Sequence, residues 1–173
     1  MSQRAFTLIE LLIVVAIIGI LASSVVVNLS LARTRARDAR RKADLKSVQT
    51  ALEVYAEEKG SYPSTLGLAT CFAGATGPPL CSEPGSYIPN LAPDYVGSLP
   101  LDPLVGKPSA FAIAHQATCT SGPAGYRYAS DGRDYKLIGY CTVESEIDSF
   151  SPFYDAIRPT WALGLATGGA RSW

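Results

Sequence analysis

From Ala5 to Ala32 the chain is apolar or uncharged throughout, except for Glu10. Leu11 to Ala32 alone gives 22 consecutive residues without a charge. As a helix rising about 1.5 Å per residue, that stretch would reach roughly 33 Å, enough to cross the apolar core of a bilayer. Beyond Ala32 the pattern turns amphipathic. Leu45, Val48, Leu52 and Tyr55 follow one another at spacings of three, four and three, with Ala39, Ala43, Ala51 and Ala56 on or beside the stripe. That is one face of a helix, and it reads as core packing for whatever follows. No proline occurs before Pro63, and Gly60 is a natural C-terminal stop. One helix of more than fifty residues is therefore predicted, dry in its first half and wet in its second. Gly19 and Ser23-Ser24 are the places where it could bend.

From Ser61 onward the pattern is that of turns. Tyr62-Pro63, Gly77-Pro78-Pro79, Glu83-Pro84-Gly85 and Gly122-Pro123 punctuate the chain, and residues 60–108 read as an irregular connection. Tyr126–Ala129 and Asp134–Tyr140 alternate like two strands around Ser130-Asp131-Gly132-Arg133, and Asp-Gly between alternating runs signals a hairpin. The tail from Ser149 to Trp173 shows no assignable element. His115, in Phe111–Gln116, reads as a half-buried strand or loop residue. The expected fold is α+β, a long helix whose Leu45–Tyr55 face carries a small antiparallel sheet. The divisions are residues 6–32, 33–59 and a globular head at 60–173, after a short N-terminal segment at 1–5.

Overall composition hides this segregation: 47% hydrophobic, 17% charged and formally neutral. Arg33, Arg35, Arg37, Arg40, Arg41 and Lys42 crowd the ten residues after the apolar run, against Asp38 alone. Such a cluster at the end of a span reads as headgroup contact. Contact with DNA is unsupported, because no aromatics are interleaved to stack on bases. A secretory signal cut at Ala22-Ser23-Ser24 is the alternative for the first segment. The run continues through Val25, Val26, Val27 and Leu29, however, and Glu10 sits where a signal core tolerates charge poorly.

Cys71, Cys81, Cys119 and Cys141 lie in the second half and suggest disulfides in an oxidising compartment. Zinc is disfavoured, since there is no C-x-x-C pair and His115 is the lone histidine. Three pairings are possible, of which Cys71–Cys81 with Cys119–Cys141 is the local one. Counting positive flanks would instead place the Arg33–Lys42 side in the cytoplasm.

The string from Ala5 to Ala22 resembles the N-terminus of type IV pilins and type II secretion pseudopilins. The resemblance implies a leader, Met1–Ala5, cut between Ala5 and Phe6 by a prepilin peptidase, with N-methylation at Phe6. Glycine is usual before the cut, and Ala5 is the small residue found here. The resemblance also puts the head outside the cytoplasmic membrane, in agreement with the cysteines. Residues 6–32 become a transmembrane and assembly helix, covered by lipid before assembly and by other copies after it. Glu10 would pair with the Phe6 amine of a neighbouring copy in an extracellular or periplasmic homopolymer built on an assembly platform.

Leu99–Pro103 and Tyr128–Tyr135 are similar to segments of major pseudopilins and of short Gram-positive or minimal-genome pilins. Some pseudopilins bind calcium near this hairpin, which makes Asp131 and Asp134 candidate ligands; otherwise no metal or cofactor is expected. Catalysis finds no support, as the chain has no G-x-S-x-G, Walker-type or H-E-x-x-H motif. The expected function is a type IV pilus subunit. A type II secretion or competence pseudopilin is the alternative, and a single-span anchored binding protein is the reading from a different class.

Overall fold

The computed structural model describes residues 7–65, 87–104, 107–120 and 124–173, leaving aside the side chains of residues 24–28 and of Thr118. Two compact units divide the chain, Met1–Ala36 and Arg37–Trp173. Helix α1 runs from Leu8 to Lys59, 52 residues. It stops at Gly60, whose φ of 76° lies in the left-handed region and whose amide still reaches the Ala56 carbonyl at 2.8 Å. Glycine adopts that conformation without the penalty a Cβ would bring.

The second unit is an α+β head. Strands β1 (Gly125–Ser130), β2 (Tyr135–Tyr140) and β3 (Ala162–Ala166) form an antiparallel sheet in that order. The hairpin joins β1 to β2 with Tyr128 opposite Leu137, and Leu137 in turn faces Leu165. Its loop is built by Asp131, whose Oδ1 accepts from the amides of Arg133 and Asp134, both at 2.8 Å. Gly132 there has φ 92°. Strand β3 falls inside the tail that shows no pattern in sequence. It is made of alanine, leucine and glycine, and a Cβ on Gly164 would stand 2.6 Å from Ile138 Cγ2 and 3.1 Å from the Leu137 carbonyl. Close approach to β2 selects glycine at that point.

One face of the sheet covers α1. Leu45, Val48 and Leu52 are wholly buried and share a core with Tyr126, Tyr128, Tyr135, Leu137, Leu163 and Leu165. The tyrosine hydroxyls reach past the core to polar partners. Tyr126 donates to Asp44 at 2.8 Å and Tyr135 to Glu53 at 3.2 Å, and Tyr62 reaches the same Glu53 at 2.8 Å. On the other face Arg127 lies 3.5 Å above the Tyr140 ring. There the buried Lys136 donates to Asp155 at 3.1 Å and to the Trp173 carbonyl at 2.7 Å.

Short helix α2 (Ala110–His115) is capped by Ser109, which accepts from the Ala112 amide at 3.0 Å and donates to the Val143 carbonyl. This corrects the strand-or-loop reading of His115: it ends α2, exposed, with Nδ1 2.7 Å from the Phe111 carbonyl. Ser109 is a helix-start signal that the short apolar run obscured. Cys119 and Cys141, both fully buried, are joined by a disulfide across 22 positions, which ties the segment after α2 to the end of β2. Cys71 and Cys81 lie outside the described residues. Replacing Cys119 and Cys141 together by serine should cost about 3 kcal/mol for a loop of this length. In a head of this size that is roughly a 10 °C fall in melting temperature, readable by calorimetry.

Candidate functional site

Two features of α1 stand out, one at its start and one at the start of the head. At the first, Thr7 and Glu10 form a reciprocal cap. Thr7 Oγ1 accepts from the Glu10 amide at 3.3 Å, while Glu10 Oε2 accepts from the Thr7 amide at 2.9 Å and from its hydroxyl at 2.7 Å. This is the T-x-x-E capping box, which satisfies donors a helix start leaves orphaned. In the single chain Glu10 is thus a solvent-facing cap. Ala5 and Phe6, the residues of the expected cut, lie outside the described residues.

Past the cap, Leu8, Ile9, Leu11, Leu12, Ile17 and Ile20 are each more than half exposed. A monomer seldom leaves so much contiguous apolar surface in water, so this face needs a cover. Among the described residues no helix is long and apolar enough to cross a membrane.

The second feature corrects the reading of the basic cluster. Arg41 does not face a headgroup layer: it is wholly buried and takes three carboxylates. Its Nε and Nη2 bind Asp102 at 2.7 and 3.2 Å, a two-pronged contact. Its Nη1 lies 2.8 Å from both Asp38 Oδ1 and Glu144 Oε1. Arg37 adds two contacts to Glu144, one of 2.7 Å through Nε, and Ser145 donates to Asp38 at 2.6 Å. Burial alone would push the Arg41 guanidinium down, but Asp102, Glu144 and Asp38 outweigh it and raise its pKa. Burial likewise works against the Glu144 carboxylate, yet Arg37 and Arg41 hold it below its ordinary range. The signal was present in the sequence: Arg41 sits four residues before Leu45, where the buried stripe would continue for one more turn. Arg33, Arg35 and Arg40 are exposed.

The calcium candidates Asp131 and Asp134 are both engaged by backbone. Asp131 caps its own loop, and those amides hold its carboxyl below the usual range. Asp134 Oδ1 accepts from the Gly169 amide at 3.2 Å. Among the described residues no group of three acidic, histidine or cysteine side chains is placed to hold a metal.

Residues 1–26 match the family described as "Prokaryotic N-terminal methylation motif". A type II secretion system core protein G from Pectobacterium carotovorum subsp. carotovorum is 39% identical over 102 residues, covering 58% of this chain and 62% of that protein, less than two thirds of its length. The protein of that name from Escherichia coli K12 is 35% identical over 103 residues, 59% of this chain and 67% of its own. The one from Pseudomonas aeruginosa is 34% identical over 135 residues, 77% of this chain and 87% of its own. No solved structure matches the chain. A methylation motif running into a long helix, with a small antiparallel sheet on the later part of that helix, defines a subunit of the pilin and pseudopilin class. The chain belongs to the family of type II secretion system core protein G.

Proposed function

We propose that the chain is the repeating subunit of a type II secretion pseudopilus. The observation that carries this is the 34% identity to the Pseudomonas protein over 135 residues, well beyond the shared helix. It turns the choice away from the type IV pilus subunit that the N-terminal resemblance alone suggests. On this reading the chain is inserted once in the cytoplasmic membrane through residues 6–32, with its head outside. A prepilin peptidase cuts between Ala5 and Phe6 and methylates the new amine. An assembly platform then moves the helix from lipid into a fibre of like chains.

Glu10 gives this sequence of events its physical logic. A carboxylate within a span costs about 2.5–3.5 kcal/mol at mid-bilayer and less near the interface. The Thr7 bonds offset part of that cost in the monomer. In the fibre the Phe6 amine of a neighbour would neutralise the carboxylate, and any other axial offset would leave both charges unpaired in an apolar core. Mass spectrometry of the mature N-terminus tests the reading, with a methylated Phe6 expected. An intact Met1, or a start after Ala22, would overturn it.

A further inference from the structure

We infer that the open end of the β3 edge is a docking site for an extended, acidic segment of another polypeptide. The Thr167 amide bonds the Tyr135 carbonyl at 3.1 Å, so by alternation Leu163 and Leu165 also direct their backbone groups to β2. Ala162, Gly164 and Ala166 then direct theirs to the opposite edge. The first two are engaged there, the Ala162 amide with the Arg158 carbonyl at 3.2 Å and the Gly164 amide with the Phe153 carbonyl at 2.9 Å. Tyr154 bridges to Leu163 in the antiparallel sense, so on the next rung Ala166 would face Ser151. Ser151 is taken elsewhere. Its amide donates to the Asp148 carbonyl at 2.9 Å, and its own carbonyl accepts from the Tyr154 amide at 3.0 Å. Pro152 beside it has no amide to give. The Ala166 amide and carbonyl are therefore left without a partner among the described residues.

The missing rung opens into a cavity of about 380 Å³, within the range of ligand sites, lined by Lys136, Phe150, Asp155, Ala166 and Arg171 among others. Lys136 and Asp155 answer each other at 3.1 Å. Arg171 is exposed, and its guanidinium has no hydrogen bond or ion pair with any described residue. Phe150 is 94% exposed at the rim. One backbone rung, one unmatched positive charge and one apolar ring are thus offered together. An extended peptide can use all three, with its backbone on Ala166, a carboxylate on Arg171 and an apolar side chain on Phe150. A free anion would use Arg171 alone. No described segment of a second copy supplies such a strand. The chain's own exposed acids lie on α1, in turns such as those of Asp131 and Asp148, or at Glu146, between the bound Glu144 and the buried Ile147.

Binding to the solubilised full chain tests this, with the labelled peptide acetyl-Ser-Val-Thr-Glu-Val-Thr-Ser-amide as probe and fluorescence anisotropy as readout. The unaltered chain should bind it. Arg171→Glu should weaken the binding about fivefold, the upper range for an exposed pair, with the melting of the chain unchanged. Two versions of the probe, N-methylated on its odd or on its even amides, examine the backbone rung. One should bind about tenfold more weakly and the other to within about twofold, because a strand pairs through one side at a time. Failure of the unaltered chain to bind the probe, or equal losses in the two methylated versions, would overturn the inference. So would acetate that displaces the probe as well as the unlabelled peptide does, since the site would then hold an anion alone. A dimer of the solubilised chain that Arg171→Glu separates would assign the edge to a second copy and overturn it too. The filament reading is untouched by any of these outcomes, as the probe is read on single solubilised chains.

Discussion

Arg41→Ala should destabilise the head by about 3–5 kcal/mol, the range for removing one partner of a buried ion pair. Against a total stability of about 5–15 kcal/mol, that removes between about a fifth and the whole of the margin. The cost arises from what stays behind. Asp102 is 3% exposed and Asp38 6%, and without the guanidinium both are left in a site that water hardly reaches. Chemical denaturation of the solubilised chain gives the number, and a loss below about 1 kcal/mol would show that the cluster is solvated like an ordinary surface pair. The acid side offers an independent check. The Glu144 carboxyl titrates below its ordinary 4.5, so its share of the stability is fully present above that pH and is lost as pH falls through the lowered value. Arg37 and Arg41 cause the lowering, so the acid-side decline of stability should be shallower in Arg41→Ala than in the unaltered chain.

Glu10→Val should leave the chain in the membrane and lower its recovery in fibres by at least about tenfold, the effect of losing one well-placed charge pair. Valine removes two things, the cap on Thr7 and the charge, and a second variant separates them. Glutamine can still accept from Thr7 in a capping box, but it cannot neutralise an amine. If Glu10→Gln assembles normally, the cap is what matters and the pairing with Phe6 is wrong. If it fails as valine does while the helix content stays constant, the charge is the active part.

The elements visible in the sequence were those with strong periodicity or strong turn chemistry. The Leu45–Tyr55 stripe, Gly60 and Asp131-Gly132 each combine a steric requirement with a regular pattern, and α1 and the β1–β2 hairpin appear where those residues place them. Strand β3 lacks both. Its outward positions are alanine and glycine, and at Gly164 β2 comes too close for a Cβ, so the strand lacks the β-branched and aromatic residues that would mark it. Arg41 was hidden by its neighbours. Among six basic residues in ten positions nothing in composition marks one as internal, and only the spacing to Leu45 does. Its partners Asp102 and Glu144 come from loops with no period to place them, so the cluster is a product of tertiary structure. The Thr7–Glu10 cap was legible as a pattern, but a charge inside an apolar run draws attention to the membrane first.

The tyrosine ties between α1 and the sheet have a mechanical consequence. Asp44 and Glu53 are nine positions apart, so with the buried Leu45, Val48 and Leu52 between them the anchors span about 13 Å of helix axis. Any push or pull along α1 reaches these anchors in parallel. They share the load in shear instead of opening one after another, as they would under a sideways peel. The head is therefore fastened most strongly along the axis of α1.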